Sequence, residues 1–187
     1  DEKVLDVGCG DGRITAAVAD FIPQGSVVGF DASLSMLSQA QKEFSAMSHV
    51  QFMQGDAHHL DFNEQFDTVL SFCCLHWCRS RGRIFRRLYR SLKHGGRALI
   101  LVPIGSPELG QAIADTVLKP SWSDHFVGFE DSSQTAFDND YESCAREAQF
   151  IIDHYRDEYV VEKFPHFDGL CKWVEAITPH VNVFNEK

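Results

Sequence analysis

The alternation of two hydrophobic periods along the first hundred residues constrains the fold of this chain more than any other feature. Short apolar runs of the strand type are separated by longer segments whose apolar residues recur at helical spacing. The predicted strands are Val4–Val7, Ser26–Phe30, Val50–Met53, Thr68–Phe72 and Ala98–Val102, and the predicted helices are Arg13–Phe21, Leu34–Met47 and Gly82–Leu92. This order predicts an α/β, Rossmann-like doubly wound fold, with a mostly parallel sheet and helices on both faces.

The pattern changes after the fifth predicted strand. The segment from Ile104 to about Asn139 is rich in Gly, Ser, Asp and isolated aromatic residues and has no clean period, which is typical of a lid-like insertion. Beyond it the pattern predicts a helix over Tyr141–Tyr155, a strand around Tyr159–Phe164, a helix over Asp168–Ile177 and the start of a strand at Val181–Phe184. We expect all of these elements to belong to one domain.

Composition and charge exclude several classes of protein. The formal net charge of −10 argues against nucleic acid as the main partner, because affinity for phosphate backbones needs a basic surface. No apolar run reaches the roughly 18 residues that cross a bilayer, so no membrane association is expected. The six cysteines contain no CxxC pair, which predicts reduced thiols in the cytoplasm and no metal centre.

A glycine-rich loop follows the first predicted strand, in the sequence Gly8-Cys9-Gly10-Asp11-Gly12. Glycines there permit positive φ angles and let a ligand approach the backbone at the amino end of the next helix. A nucleotide-like ligand is therefore expected. Nicotinamide and flavin dinucleotides are one possibility, since Asp31 stands where their ribose-binding acid lies, but their usual spacing is G-x-G-x-x-G.

Four carboxylates are predicted at the edge of the sheet where this loop lies, namely Asp6, Asp11, Asp31 and Asp56. Their like charges would repel a pyrophosphate. A cationic ligand without phosphate removes the conflict. S-adenosylmethionine fits this description, because it carries an ammonium and a sulfonium and offers ribose hydroxyls and an adenine amino group.

Three motifs in order, "VLDVGCGDG", "VVGFDAS" and "FMQGDA", resemble those of the class I S-adenosylmethionine-dependent methyltransferases over Val4–Val102. The resemblance implies that the loop at Gly8, Cys9 and Gly10 packs on the methionine part of the cofactor. It also implies that Asp6 holds the ammonium, usually through water, and that Asp31 binds both ribose hydroxyls. The other cofactor-binding residues that it implies are Ala32, Met36 near the adenine, Asp56 and Ala57 at the adenine edge, and Phe72.

The stretch "FCCLHWC" after the fourth strand brings His76 and Trp77 to the same edge of the sheet, where a methyl acceptor should sit. Together with "GSPEL" and "FPHFDGLCKWVEAITPH", the "LHW" element resembles the branch with juvenile hormone acid, trans-aconitate and malonyl-carrier-protein carboxyl O-methyltransferases. This resemblance implies a small-molecule carboxylate acceptor, which needs no general base. His76 would orient or line the pocket and the Trp77 indole would donate to the carboxylate.

Alternative interpretations remain open for each of these residues. His76 fits a hydrogen-bonded structural histidine and Trp77 fits core packing. The frame also suits an N-, C- or hydroxyl O-methyltransferase, or a module that binds the cofactor without chemistry. The cysteines near His76 would suit thiol or arsenic chemistry, but buried and inert side chains are expected. His58-His59 fits either ligands or acid/base groups, or an exposed turn.

The resemblance also divides the single predicted methyltransferase domain into three parts. Residues 1–104 form the cofactor-binding core, 105–155 a substrate lid, and 156–187 a strand and helix that belong to the same sheet layer.

One further feature of the sequence concerns partners. Residues Arg79–Arg97 hold eight lysines and arginines and no acid, which indicates either a solvated helix face or a docking surface for an acidic carrier protein.

Overall fold

A computed structural model of the chain describes residues 1–104, 107–128 and 140–177. The chain divides into two compact units, Asp1–Pro103 with Asp140–Ile152, and Ile104–Asn139 with Asp153–Lys187. Residues Asp140–Ile152, which the sequence prediction assigns to the lid, lie in the first unit.

The first unit contains a five-stranded parallel sheet, which confirms the predicted fold class. Its strands are β1 Lys3–Val7, β2 Ser26–Asp31, β3 Val50–Gln54, β4 Phe66–Phe72 and β5 Leu92–Leu101, in the spatial order β3-β2-β1-β4-β5. The chain builds the sheet outward from β1 in one direction and from β4 in the other. The switch point therefore lies between β1 and β4, whose carboxyl ends form the ligand-binding edge in folds of this kind.

The helices are α1 Arg13–Phe21, α2 Leu34–Glu43, α3 Arg81–Ser91, α4 Pro107–Val117, α5 Tyr141–Glu147 and α6 Phe167–Ile177. Three short 3₁₀ turns, at Ala57–His59, Leu75–Trp77 and Ser123–Phe126, accompany them. Helices α1 to α3 connect successive strands of the sheet, except that β3 passes to β4 through the turn at Ala57–His59. The glycine loop and this turn therefore both follow directly after strands.

Two separate hydrophobic clusters show that both faces of the sheet are covered. Leu5 and Val7 of β1 point into a cluster that also contains Ile84 and Leu88 of α3 and residues of α5. Val4, one position before Leu5, packs with Val27, Leu70 and Ala19 of α1 on the other face. Strand residues alternate between faces, so β1 is buried on both sides from Val4 to Val7.

Helix α5 is shorter than the sequence pattern predicts, since it ends at Glu147 and not at Tyr155. Gln149 adopts a left-handed conformation with φ 74°, and the Phe150 amide donates back to the Ala145 carbonyl at 3.0 Å. This geometry is a left-handed helix stop that sequence reasoning misses when the residue is not glycine. Phe150 then packs edge-on against Tyr89 of α3, which fixes the stop by an apolar contact.

The predicted strand around Tyr159–Phe164 is wrong. Residues 153–166 form neither strand nor helix, and the side chain of Tyr159 is 95% exposed. Tyr and Val favour strands only where a partner strand and a packed face receive them, and charged residues surround Tyr159–Val161 in the sequence. Helix α6 begins one residue before its predicted start at Asp168, and the predicted strand Val181–Phe184 lies outside the described residues.

Within the described ranges, none of the helices combines the length and the apolar character that a bilayer crossing requires.

Candidate functional site

The glycine loop after β1 packs tightly against other residues at Gly8 and has open space beside it at Gly10. Gly8 has φ 81°, and a Cβ at this position would lie 2.3 Å from the Cβ and Sγ atoms of Cys74. Gly10 has φ 54°, and a Cβ built there meets nothing within 4 Å. The loop is therefore pressed against the residues after β4 and leaves open space at Gly10, where a ligand can approach the backbone.

Asp31, at the end of β2, is held beside this opening by two backbone amides. Its Oδ2 accepts a hydrogen bond from the Gly10 amide and its Oδ1 accepts one from the Ser33 amide, both at 2.8 Å. The adjacent Phe30 carbonyl accepts from the Gly8 amide at 2.7 Å. Each carboxylate oxygen can accept a further hydrogen bond, so Asp31 is oriented in advance for hydroxyl donors.

Asp6 lies beneath the loop, with 2% of its surface exposed. Its Oδ2 accepts a hydrogen bond of 2.6 Å from the Thr15 hydroxyl in α1. Burial raises the pKa of Asp6 to about 6; the Thr15 hydrogen bond opposes the rise and the charge of Asp31 adds to it. A cation arriving near Asp6 would reverse this shift, because it favours the ionised carboxylate.

The other two carboxylates of the predicted set meet cationic or ionisable partners. Asp11 lies 3.3 Å from the Nε of Arg13. Asp56 accepts a 2.8 Å hydrogen bond from the His58 amide and lies 2.7 Å from the Nδ1 of the His58 ring. The hydrogen bond from the His58 amide is the main reason that the pKa of Asp56 is lowered, and burial opposes this shift. The four carboxylates are therefore unequal: Asp11 and Asp56 have such partners, whereas Asp6 and Asp31 act on each other.

The remaining predicted cofactor residues around the loop and β2 differ in what they present. The side chain of Cys9 is buried under the loop against Gly29, and burial raises the pKa of its thiol to about 12. The Ala32 carbonyl accepts from the Gln54 side chain at 3.4 Å. Met36 lies in the first turn of α2 and is half-exposed. The thiol of Cys9 is thus unreactive and Met36 has a surface that a ligand could cover.

Two further predicted residues stand at strand ends. Ala57 is buried at the start of the 3₁₀ turn that follows Asp56. Phe72 is the last residue of β4, where it pairs with Leu101 of β5 and packs against the cluster on the α1 face. Both therefore lie after or at the carboxyl end of a parallel strand, as Asp31 and Asp56 do.

We refer to residues Cys73–Ser80 as the acceptor segment. Its two end residues, Cys73 and Ser80, both have φ 53°, a left-handed conformation that is uncommon outside glycine. His76 is 8% exposed and its ring centroid lies 4.8 Å from that of Trp77, which is 39% exposed. Burial lowers the pKa of His76 to about 4, so the imidazole is neutral at pH 7.

Sequence reasoning missed the residues that hold this segment. The Cys73 amide donates to the Leu101 carbonyl at 2.9 Å. At the other end the buried Arg81 donates to Asp140 at 2.7 Å and lies 4.7 Å from the Tyr141 ring centroid. His58, for which the sequence leaves an exposed turn and a ligand or acid/base role open, reaches the Arg79 carbonyl at 2.6 Å. The spacing of His58 two residues after Asp56 is the one local signal for this role; nothing near Arg81 indicates Asp140.

Comparison with known proteins gives consistent matches over these elements. A family model described as a methyltransferase domain matches residues 4–96. The putative methyltransferase 235L of Invertebrate iridescent virus 6 is 26% identical over 181 residues, which are 97% of this chain and 67% of that protein. The juvenile hormone acid O-methyltransferase of Bombyx mori is 33% identical over 135 residues, which are 68% of this chain and 48% of that protein.

A solved structure extends the match to three dimensions. The phosphoethanolamine N-methyltransferase 2 of Haemonchus contortus, in complex with S-adenosyl-L-methionine, has a TM-score of 0.61 and 26% identity, covering 80% of this chain and 33% of that one. The chain thus spans between one third and two thirds of the length of these proteins. The residues matched by the family model include the glycine loop, Asp31, Asp56 and the whole acceptor segment.

Proposed function

Because the chain belongs to the class I S-adenosylmethionine-dependent methyltransferases, we propose that it transfers a methyl group from S-adenosylmethionine to a carboxylate oxygen of a small molecule. The observation that carries the cofactor part is the unequal pairing of the four carboxylates. Asp11 meets Arg13 and Asp56 meets His58, whereas the charge of Asp31 raises the pKa of the buried Asp6. A donor with positive sulfur and nitrogen relieves that repulsion, and a pyrophosphate would increase it.

The residues present fit the cofactor at each of its parts. The open space at Gly10 receives its methionine part beside Asp6, and the fixed carboxylate of Asp31 accepts from the ribose hydroxyls. Met36, Asp56 and Ala57 would surround the adenine, and the backbone of Cys9 and Ala32 with the ring of Phe72 would complete the walls. When bound, S-adenosylmethionine supplies an electrophilic methyl carbon on a positively charged sulfur.

The acceptor is proposed from the chemistry of the acceptor segment. A carboxylate is already ionised at neutral pH, so the chain needs to remove no proton. His76 suits this role, because a pKa of about 4 makes it a weak base at pH 7 but leaves one ring N–H to donate. The half-exposed Trp77 offers its indole N–H as a second donor. The chain then contributes alignment of the two reactants and exclusion of water.

An acid and its own methyl ester test the proposal, and the matched pair separates the acceptor atom from general affinity. We expect the purified protein to methylate a member of a panel of small mono- and dicarboxylic acids at least 100-fold faster than the ester that lacks the same free carboxyl group. The value of kcat/KM for the acid should not rise between pH 7 and 9, because the acceptor has no proton to lose in this range. Equal rates for acid and ester would reject carboxylate methylation in favour of N-, C- or hydroxyl transfer.

Binding without chemistry is the other outcome to separate. If S-adenosylhomocysteine binds in calorimetry while no member of the panel nor any amine or phenol is methylated, the chain is a cofactor-binding module.

The proposal about a partner concerns the exposed arginines of α3. Arg87 and Arg90 of α3 are bound to the loop at Asp61 and Asn63, whereas Arg83 and Arg86 are exposed. We therefore propose that a carrier-linked carboxylate would dock through Arg83 and Arg86.

The proposed setting is the cytoplasm, where thiols are reduced. All six cysteines, which lie within the described residues, are free. Cys9 and Cys144 are buried, and burial raises the pKa of both thiols. These two groups are thus protected from oxidation rather than poised to react.

A further inference from the structure

His58 joins two parts of the chain that lie at different strand ends. Its Nδ1 is 2.7 Å from Oδ1 of Asp56, after β3, and its Nε2 is 2.6 Å from the carbonyl oxygen of Arg79, after β4. The side chain of His58 is 26% exposed, so the ring sits between the two segments and not in open solvent. A second contact joins the turn that contains His58 to α3, because Arg87 of α3 donates to the Leu60 carbonyl at 3.1 Å.

The two partners of the ring decide its protonation. A peptide carbonyl can only accept a hydrogen bond, and an ionised carboxylate can only accept one. A neutral imidazole has a single N–H and would leave one of these short contacts without a proton. Both contacts are satisfied only by an imidazolium. Burial alone would lower the pKa of His58, but the hydrogen bonds to the Arg79 carbonyl and to Asp56 outweigh it and raise the pKa above its usual value.

The contact at Arg79 lies next to a residue with an unfavourable backbone conformation. The next residue, Ser80, has φ 53° and ψ 43° and caps α3 without a side-chain hydrogen bond. A left-handed residue other than glycine costs about 1 kcal/mol and persists only where its surroundings hold it. Here His58 holds the residue before Ser80, and Asp140 holds Arg81 after it. The carboxyl end of the acceptor segment is thus fixed from both sides.

We propose that His58 is a positioning residue, whose imidazolium links the carboxylate of Asp56 to the Arg79 carbonyl and so couples the adenine end of the cofactor site to the acceptor segment. The inference rests on the proposed function, which puts adenine at Asp56 and the methyl acceptor at His76 and Trp77. It predicts that cofactor affinity depends on the charge of a residue that touches neither reactant. Loss of the proton breaks one of the two contacts and releases the segment.

Other ionisable groups around the ring must be separated from it. His59, on the same turn, lies 3.3 Å from Asp56. From the acceptor segment and α3, Cys78 and Arg81 face the same region. The pKa of Cys78 is lowered to about 7, chiefly by a hydrogen bond with the Cys74 thiol and also by the charge of His58. Cys78 could therefore titrate in the same pH range, and a variant without this thiol is needed as a control.

A direct titration tests the link by itself. Nitrogen-15 NMR of the whole chain, with His58 assigned through the His58→Gln variant, reports how many ring nitrogens carry a proton. We expect both to be protonated at pH 6.5, with a midpoint above the ordinary value of a histidine side chain. A His58 ring that is neutral at pH 6.5 overturns the proposal, whether or not the protein is a methyltransferase.

Calorimetry with S-adenosylhomocysteine between pH 6.5 and 8.5 tests the coupling. We expect wild-type affinity to fall several-fold, up to about tenfold, as His58 loses its proton, which corresponds to the loss of one charge-assisted hydrogen bond. His58→Gln, whose two N–H donors lie on one nitrogen and do not reproduce the positions of Nδ1 and Nε2, should bind weakly at all pH values without this slope. His59→Gln and Cys78→Ser should keep the pH dependence of the wild type. Loss of the pH dependence in these controls would assign it to a group other than His58.

The two failures are distinguishable. An unchanged pH dependence in His58→Gln, with the doubly protonated ring seen by NMR, overturns the coupling and leaves the proposed function in place. A wild-type chain that binds no S-adenosylhomocysteine overturns the proposed function and the coupling together. Because His58 is partly exposed, its replacement by Gln should leave the fold intact, which circular dichroism checks.

Discussion

The cofactor half of the site and the acceptor segment are built in different ways. In the cofactor half, the contacts lie within the unit β1–α1–β2, since Thr15 of α1 donates to Asp6 of β1 and the Gly10 amide after β1 donates to Asp31 at the end of β2. The acceptor segment is held from a distance, and Arg81 and Asp140 are 59 positions apart. A local motif can therefore specify the first half, whereas the second depends on how remote parts of the fold meet.

This difference suggests how a methyltransferase frame can keep one cofactor and change acceptors. The cofactor half depends on the positive φ angles of its glycines and on backbone amides that orient Asp31. The acceptor segment is anchored at Cys73, Arg79 and Arg81 by groups from β5, the turn after β3 and the start of α5. A substitution at a residue between these three positions, such as His76 or Trp77, would not remove the contacts that hold Cys73, Arg79 and Arg81.

The largest expected effect comes from Gly8→Ala, which attacks the contact between the two halves. An alanine at φ 81° costs about 1 kcal/mol in backbone strain, and its Cβ would lie 2.3 Å from two atoms of Cys74. Either the loop or the start of the acceptor segment must move. We expect destabilisation of about 3 kcal/mol or more and loss of measurable S-adenosylhomocysteine binding, checked by urea denaturation and calorimetry.

Gly95→Ala is the matched control for this substitution. Gly95 also has a positive φ, 76°, but a Cβ there meets nothing within 4 Å. The control should cost only the backbone strain of about 1 kcal/mol and leave cofactor binding intact. Equal losses in the two variants would mean that the contact with Cys74 does not join the halves, and that the φ angle alone requires glycine at position 8.

The same difference explains what the sequence could predict. The succession of strands and helices along the chain, the glycine loop after β1 and the positions of Asp31 and Asp56 at or just after strand ends follow from local periodicity and turn chemistry. The spatial order of the strands does not. The pairing of His58 with Arg79 does not either, because it joins the segments after β3 and β4, and these strands are separated in the sheet by β2 and β1. The strand predicted at Tyr159–Phe164 failed for a related reason, since β propensity cannot tell whether a partner strand exists.

The second prediction concerns Asp6, where stability and binding should move in opposite directions. The pKa of Asp6 is about 6 in the folded chain and 3.8 in a model peptide, so the folded chain binds the proton more tightly. Stability therefore falls as pH rises from about 4 to 6 and stays lower above that. Asp6→Asn keeps an oxygen for Thr15 and cannot ionise. We expect it to be about 2 kcal/mol more stable than wild type at pH 7, with the gain gone at pH 4.

Cofactor affinity should show the reverse. An uncharged side chain at position 6 removes the attraction for the ammonium and sulfonium, so Asp6→Asn should bind S-adenosylhomocysteine and S-adenosylmethionine about tenfold more weakly at pH 7. Wild-type affinity should rise with pH through about 6, and this rise should vanish in the variant. Asp11→Asn, on the same loop but beside Arg13, serves as the control. If Asp11→Asn reproduces both effects, the buried position of Asp6 is irrelevant to the ligand.

The smallest expected effect lies at the outer edge of the acceptor half, on α3. The double change Arg83→Glu and Arg86→Glu should lower kcat/KM for a carrier-linked carboxylate about fivefold at low salt, because clustered positive charge steers an acidic partner. The loss should shrink in 0.5 M salt, where charges a few ångströms apart are screened. Activity on the free acid should not change, since both side chains are exposed and distant from the glycine loop in sequence.

A second double variant, Arg97→Glu with Lys42→Glu, changes the net charge by the same amount at exposed positions of β5 and α2, outside α3. It should reproduce neither the loss nor its salt dependence. If both double variants slow the carrier-linked substrate equally, the arginines of α3 contribute only overall charge, and the face is a solvated surface. If only Arg83→Glu with Arg86→Glu does so, α3 extends the acceptor half outward, because the helix that begins at the anchored Arg81 would then also select the partner that presents the carboxylate.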